Sequence, residues 1–300
     1  MSTTTMTTTQ TMTTEAFAKV NLTLEVFGTR ADGFHALRSL VLPVTFADTV
    51  TVALADEISS DSPYPDDLCV KAARTLRKVV SSCRRAFEPK VPGVRIHVDK
   101  RIPAGGGLGG GSADAAATLC LLNDLWGLSL GIGTLAAIGA SVGSDVPALV
   151  LSRAKGLVLM EGRGEVVAPY GVQFQPLNLV LVNPGVFSST AEVYKNCTSR
   201  VTDDPSIVYN MRHALESGDV RAIAAALQND LEAPAVRLHP EIAAAKRQLA
   251  AAGAVGCAMS GSGSTVFGLV PDEAAGRQIA ASLAAKGLAA WSARSACPFV

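Results

Sequence analysis

Between Pro103 and Ala113 the chain reads PAGGGLGGGSA, with six glycines from Gly105 to Gly111. Glycine at this density lets main-chain N–H groups turn inward and approach a ligand closely. The run SADAAATLCLLNDLW follows at once, with Ser112 as the expected N-cap and an apolar stripe at Ala115, Leu119, Leu122 and Trp126. A glycine-rich turn that opens a helix favours an anion, whereas a flexible linker seldom leads straight into one.

Two familiar phosphate loops are excluded by spacing. Gly105, Gly107 and Gly110 satisfy GxGxxG, but Asp99-Lys100-Arg101-Ile102-Pro103 separates them from the strand VRIHV, and Asp124 falls inside the helix. Gly106 and Gly111 have Walker A spacing, yet Ser112 stands where that motif requires lysine. The cation for the phosphates must come from elsewhere.

The formal charge is zero and no basic block is present, which argues against a nucleic-acid or membrane-surface partner. Apolar residues make up 48% of 300, enough for one large or two ordinary domains. Cys69, Cys83, Cys120, Cys197, Cys257 and Cys297 are scattered without a CxxC pair, the pattern of reduced cytosolic thiols. Residues 1–14 carry neither an apolar signal core nor an Arg-rich transit pattern, and read as a disordered tail.

From Glu15 to Val26 the chain alternates at strand period after a slip at Ala18, placing Lys19 and Asn21 on one face. Lys19 lies among apolar residues and so requires a partner charge. Asp145, in GSDVP between apolar runs, is the candidate, although by itself it reads as an N-cap with Pro147 in the first turn. Asp114 reads as a dipole partner of the glycine-loop helix. Gly162-Arg163-Gly164 marks a hairpin, LNLVLVNPG a buried strand, and AIAAALQNDLE a helix. SGSGST, residues 260–265, is a turn that reads either as a hairpin loop or as a second wall of the phosphate site.

These segments, AKVNLTL, RADGFHAL, DKRIPAGGGLGGGSADAA, GSDVP, GRGE, NPGVFSSTAEVY, NDLE and SGSGST, resemble the GHMP-type small-molecule kinases from about Phe17 to Phe267. ADGFH with the triple-glycine GGGS is similar to the branch whose acceptor is a hydroxyl of a cytidine-diphosphate-linked methylerythritol. Mevalonate-type, homoserine and sugar kinases of the family are the alternative.

The resemblance implies an α+β, two-domain fold: a ribosomal-protein-S5-like domain over 15–168, a ferredoxin-like α/β domain over 169–300, and the active site in the cleft. It implies ATP held by Pro103, Ala104, Gly105, Gly106, Gly107, Leu108, Gly109, Gly110, Gly111, Ser112 and Ala113, with Mg²⁺ arriving on the nucleotide and no metal ligands of the protein's own. Lys19 and Asp145 are implied as catalytic. Asn21, Phe34, His35, Thr190 and Tyr194 are implied as substrate contacts, His35 reading the cytosine edge between the rings of Phe34 and Tyr194. A cytoplasmic enzyme, monomer or homodimer, is implied. The chain departs from the family pattern at Phe34, Val41 and Asp67.

Overall fold

The computed structural model describes residues 10–31, 33–63, 66–83, 91–198 and 205–296. Its frame is a long antiparallel pair, β1 (Thr11–Thr29) and β2 (His35–Ala55), in register from Thr11↔Ala53 to Thr29↔His35. Onto β2 are built β4 (Gly93–Asp99) and β5 (Val158–Gly162), with the short β3 (Ser59–Ser60) beyond β4 and β6 (Val166–Pro169) beyond β5. The helices α1 (Leu68–Cys83), α2 (Gly110–Leu125), α3 (Ile132–Gly139) and α4 (Val146–Lys155) belong to this half, with α2 packed on β1 and β2.

The second sheet is wholly antiparallel, in the order β11 (Ala289–Arg294), β7 (Asn178–Asn183), β10 (Val266–Val270), β9 (Gly256–Met259). Between its strands run α5 (Thr190–Lys195), α6 (Ser206–Ser217), α7 (Val220–Ala226), α8 (Glu232–Leu238), α9 (Pro240–Ala251) and α10 (Glu273–Ala284). The mixed α+β architecture agrees with the sequence expectation.

Three local expectations are corrected. Residues 11–14 are not a tail: they extend β1, pairing as far as Thr11↔Ala53, and the Gln10 carbonyl accepts from Leu54 N–H at 3.3 Å. Threonine is β-branched and suits a strand once a partner is present; residues 1–9 of the expected tail lie outside the described residues. AIAAALQNDLE is not one helix. It divides into α7, the two-residue β8 (Gln228–Asn229), which pairs in parallel with Thr23 and Leu24, and α8. Tertiary hydrogen bonds draw the middle out of the helix: Asn229 Nδ2 donates to the carbonyls of Met259 and Gly261, and Asp230 Oδ2 accepts from Val26 N–H.

The third correction concerns α2. It starts at Gly110 with Gly109, at φ 70°, as its cap, so Ser112 lies inside the helix. The single stripe is also too narrow a description, because every residue from Ala113 to Leu119 is buried. Its alanines let α2 pass close to neighbours on all sides.

The core is continuous across the two sheets. One cluster joins Ala18, Val20, Leu22, Leu40 and Leu42 of the first to Leu179, Leu181, Phe267 and Leu269 of the second, with Met211 of α6. A strand buried on both faces loses its alternation, which is why β1 is buried without a break from Ala18 to Val26.

Candidate active site

A cavity of about 800 Å³ opens between the glycine loop, β1, the start of α4 and the 260–265 turn. Register shifts between Phe17 and Lys19 and between Asn21 and Thr23 bracket the two polar residues of β1. Irregularities of this kind re-aim side chains, and here both reach the cavity. The slip read at Ala18 is the first of them.

Lys19 is 4% exposed, and its Nζ stands 3.8 Å from Asp145 Oδ2. Burial lowers the ammonium's pKa below the usual lysine value, and the nearby carboxylate partly restores it. Lys19 Nζ also donates to Asn21 Oδ1 at 2.7 Å. Asn21 Nδ2 then donates to Ser39 Oγ, and Ser39 to the Thr23 carbonyl. This chain fixes the amide orientation and aims the ammonium. Asp145 occupies the N-cap position of α4 but makes no side-chain cap, which leaves its carboxylate, about one-third exposed, facing Lys19.

The glycine loop is held from behind by its carbonyls. Gly106 O accepts from Thr265 N–H, Gly107 O from Ser260 Oγ, Leu108 O from Lys19 N–H and Gly109 O from Ala113 N–H. With four successive carbonyls engaged on the protein side, the amides are what the loop presents to a ligand. Close packing explains two of the glycines. A Cβ on Gly107 would lie 2.1 Å from the Ser260 carbonyl oxygen, and one on Gly109 would press on the Lys19 stem at 3.2 Å. The 260–265 turn, joining β9 to β10, is thus both a hairpin and a wall of the cavity, lined by Gly261, Ser262 and Gly263.

Residues 103–107 and 109–112 line the cavity. Leu108 and Ala113 do not: both side chains are buried in the core, and these residues serve the loop through their backbone. Asn21, Thr190 and Tyr194 also line it, with Thr190 Oγ1 2.8 Å from Ser262 Oγ. His35 meets the cavity by way of Tyr194, on whose ring it stacks at 5.5 Å. Phe34 turns outward, half exposed, beneath the Arg163 guanidinium at 5.2 Å. Val41 is buried opposite Asn21 in the β1–β2 register. Asp67 caps α1, its Oδ1 accepting from Cys69 N–H at 2.7 Å.

Sequence reasoning missed Asp48 and Lys100 and misread Asp114. Asp114 lies beyond the first turn of α2, and its carboxylate accepts from Lys100 rather than serving the helix dipole. Asp48 accepts from the same ammonium. Nothing in the sequence pairs residues so far apart, although Lys100 sits in the DKRIP segment before the loop. Among the described residues, no three His, Cys, Asp or Glu side chains gather to hold a metal.

An amide cradle at a helix start, facing a buried lysine and an aspartate, is the arrangement of a phosphoryl-transfer site without a Walker lysine. The chain belongs to the GHMP kinase family: "GHMP kinases N terminal domain" matches residues 67–153 and "GHMP kinases C terminal" residues 211–289. It is 39% identical to the 4-diphosphocytidyl-2-C-methyl-D-erythritol kinase of Symbiobacterium thermophilum, over 94% of this chain and 98% of that one. It is 40% identical to the enzyme of the same name from Moorella thermoacetica, over 91% and 94%. The crystal structure of a 4-(cytidine 5'-diphospho)-2C-methyl-D-erythritol kinase superposes with a TM-score of 0.78 at 34% identity, covering 94% of this chain and 98% of that one. Mevalonate kinase from L. major shares the fold, with a TM-score of 0.67 at 18% identity over 98% and 99%.

Proposed function

We propose that the protein is an ATP-dependent kinase that phosphorylates the 2-hydroxyl of 4-diphosphocytidyl-2-C-methyl-D-erythritol, a step toward isoprenoid precursors by the non-mevalonate route. One observation carries the mechanism: Lys19 and Asp145, 126 positions apart in the sequence, approach to 3.8 Å beside the amide loop. The similarity to enzymes of that activity over almost the whole chain supports the substrate. We take the halves to divide near residue 169.

In this reading residues 103–113 hold the triphosphate through the loop amides of 104–112, and Asp145 accepts the proton of the acceptor hydroxyl as it attacks in line. Lys19 keeps Asp145 ionised and meets charge that develops on the transferring group. No covalent enzyme intermediate is needed. Tyr194 and His35 form the aromatic wall against the cytosine, and Asn21 and Thr190 hold the acceptor end. The glycine loop turns amide donors rather than oxygens to the cavity, so Mg²⁺ would arrive on the nucleotide, ligated there by phosphate oxygens and water. It would neutralise phosphate charge where the Walker lysine is missing.

ADP release measured with the cytidylyl substrate, mevalonate, homoserine and galactose in parallel tests the assignment. Turnover with the first alone is expected. Turnover confined to one of the other three would overturn the substrate and leave the family standing.

A further inference from the structure

A second buried charge cluster lies against the same cavity. Asp48 on β2 is fully buried; its Oδ2 takes Lys100 Nζ at 2.5 Å, and its Oδ1 accepts from the N–H groups of Arg101 and, at 2.7 Å, Ile102. Asp114 on α2, 4% exposed, accepts from the same ammonium through Oδ2 at 2.7 Å. Its Oδ1 is buried with no hydrogen-bond partner, and the residue lines the cavity. One ammonium therefore ties together β2, the segment that enters the glycine loop and the helix that leaves it. The loop's exit rests on this cluster: a Cβ on Gly110 would meet Ile102 Cγ2 at 2.9 Å and Lys100 Nζ at 3.4 Å.

The two partners of this contact differ: burial works against the Lys100 ammonium, but Asp114 and Asp48 outweigh it and hold its pKa above the usual lysine value, whereas Asp114 itself is disfavoured. Burial pushes the Asp114 carboxyl up to about 7, against the pull of Lys100. A carboxyl raised in the fold stabilises fully only below its unfolded value, and that stability is lost as pH rises through the folded one. At neutral pH the ionised Asp114 therefore weighs on the fold, and what it supplies in return is its hold on Lys100 beside the exit of the glycine loop.

We propose that Asp114 is a positioning residue for the nucleotide: its carboxylate holds Lys100 across the two ends of the glycine loop and so keeps the amide cradle in the shape that grips a triphosphate. The proposal rests on the reading that residues 103–113 bind ATP. The charged and titratable groups facing Asp114 are Asp48 from β2, Lys100 from the segment after β4, and Cys69 from α1. The Cys69 thiol is pushed upward, first by burial and then by the charges of Asp114 and Asp67. Lys100 is thus the cation of the cluster through which Asp114 acts.

Steady-state kinetics of Asp114→Asn, an isosteric change, provide the test. The KM for ATP is expected to rise about tenfold, the lower end of what a hydrogen bond to a charged group carries. The KM for the cytidylyl substrate should move far less, and the Tm at pH 8 should be no lower than wild type. The wild-type KM for ATP should climb as pH falls through about 7, where Asp114 takes up a proton, more steeply than that of Asp114→Asn. The nucleotide titrates identically in both, so the difference between the profiles is the signal. In a Lys100→Met background the Asp114→Asn change should add nothing further.

An unchanged KM for ATP, equal losses for both substrates with a lower Tm, or full additivity with Lys100→Met would overturn the proposal. Amide resonances of residues 104–113, followed while a non-hydrolysable ATP analogue is added to the wild-type protein, separate it from the reading beneath. No movement there would overturn ATP binding at the loop. Movement together with a wild-type KM in Asp114→Asn would overturn the positioning role alone.

Discussion

Lys19 is a charge in an apolar strand, and its two nearest polar partners are unequal. Asn21 Oδ1 at 2.7 Å is a firm hydrogen bond, whereas Asp145 Oδ2 at 3.8 Å lies beyond hydrogen-bond length and pairs with the ammonium by charge. Because burial lowers the ammonium's pKa, the charged form weighs on the fold, and stability rises as pH climbs through the folded value. Lys19→Met is therefore expected to melt at or above the wild-type temperature while turnover falls on the order of 10²- to 10⁴-fold. Asp145→Asn should lose turnover on the same scale with substrate affinities largely kept, since a third-exposed carboxylate contributes little to the fold. Paired thermal melts and single-turnover rates check both, and near-native turnover in either variant would remove that residue from the mechanism. The alkaline limb of wild-type turnover should begin below the ordinary lysine range and vanish in Lys19→Met.

At the scale of elements, the glycine loop works because its neighbours allow no Cβ. Gly107→Ala would place a methyl 2.1 Å from the Ser260 carbonyl, in a backbone conformation at φ 76° that side chains rarely adopt. The loop must shift, and the KM for ATP should rise by roughly an order of magnitude or more, as expected when a positioning element moves by about an ångström. Isothermal titration with the ATP analogue measures this directly, and unaltered affinity would show that the cradle does not grip the nucleotide. The presence of this element was legible in the sequence because six glycines before an alanine-rich helix admit few other uses. Its boundary was not: Ser112 has the chemistry of an N-cap, but Gly109 can adopt φ 70° and starts the helix earlier. The segment AIAAALQNDLE, Ala222 to Glu232, was misread for a similar reason. Its helix periodicity is local, whereas the hydrogen bonds of Asn229 and Asp230 that interrupt it run to Met259, Gly261 and Val26.

At the scale of the molecule, the two sheets share one core, and two residues report on it. Trp126 borders the cluster under the first sheet, while Trp291 on β11 stacks on Phe46 of β2 at 4.7 Å. A hydrophobic joint of this kind couples halves that a polar linker would leave independent. Trp126→Phe and Trp291→Phe, each leaving one fluorescent reporter, should give the same urea midpoint as far-ultraviolet circular dichroism. Separate midpoints would mean that the halves unfold on their own. Cooperativity matters for the chemistry, because Gly261 N–H from the second half donates to Asn21 Oδ1 on β1 at 2.9 Å and so helps aim Lys19.

The linear order of residues was enough to specify an anion-binding loop, a strand with an irregularity at Ala18, a lysine in need of a counter-charge and an aspartate able to supply it. These follow from steric freedom, side-chain period and the cost of burying charge, all of which act locally or pairwise. Tertiary structure alone decided that Asp145 forgoes its cap to face Lys19, that the 260–265 turn closes the cavity, and that Lys100 joins Asp48 to Asp114. Each depends on which distant segments come within hydrogen-bond reach, and that distance is set by the packing of the whole core rather than by any stretch of the chain.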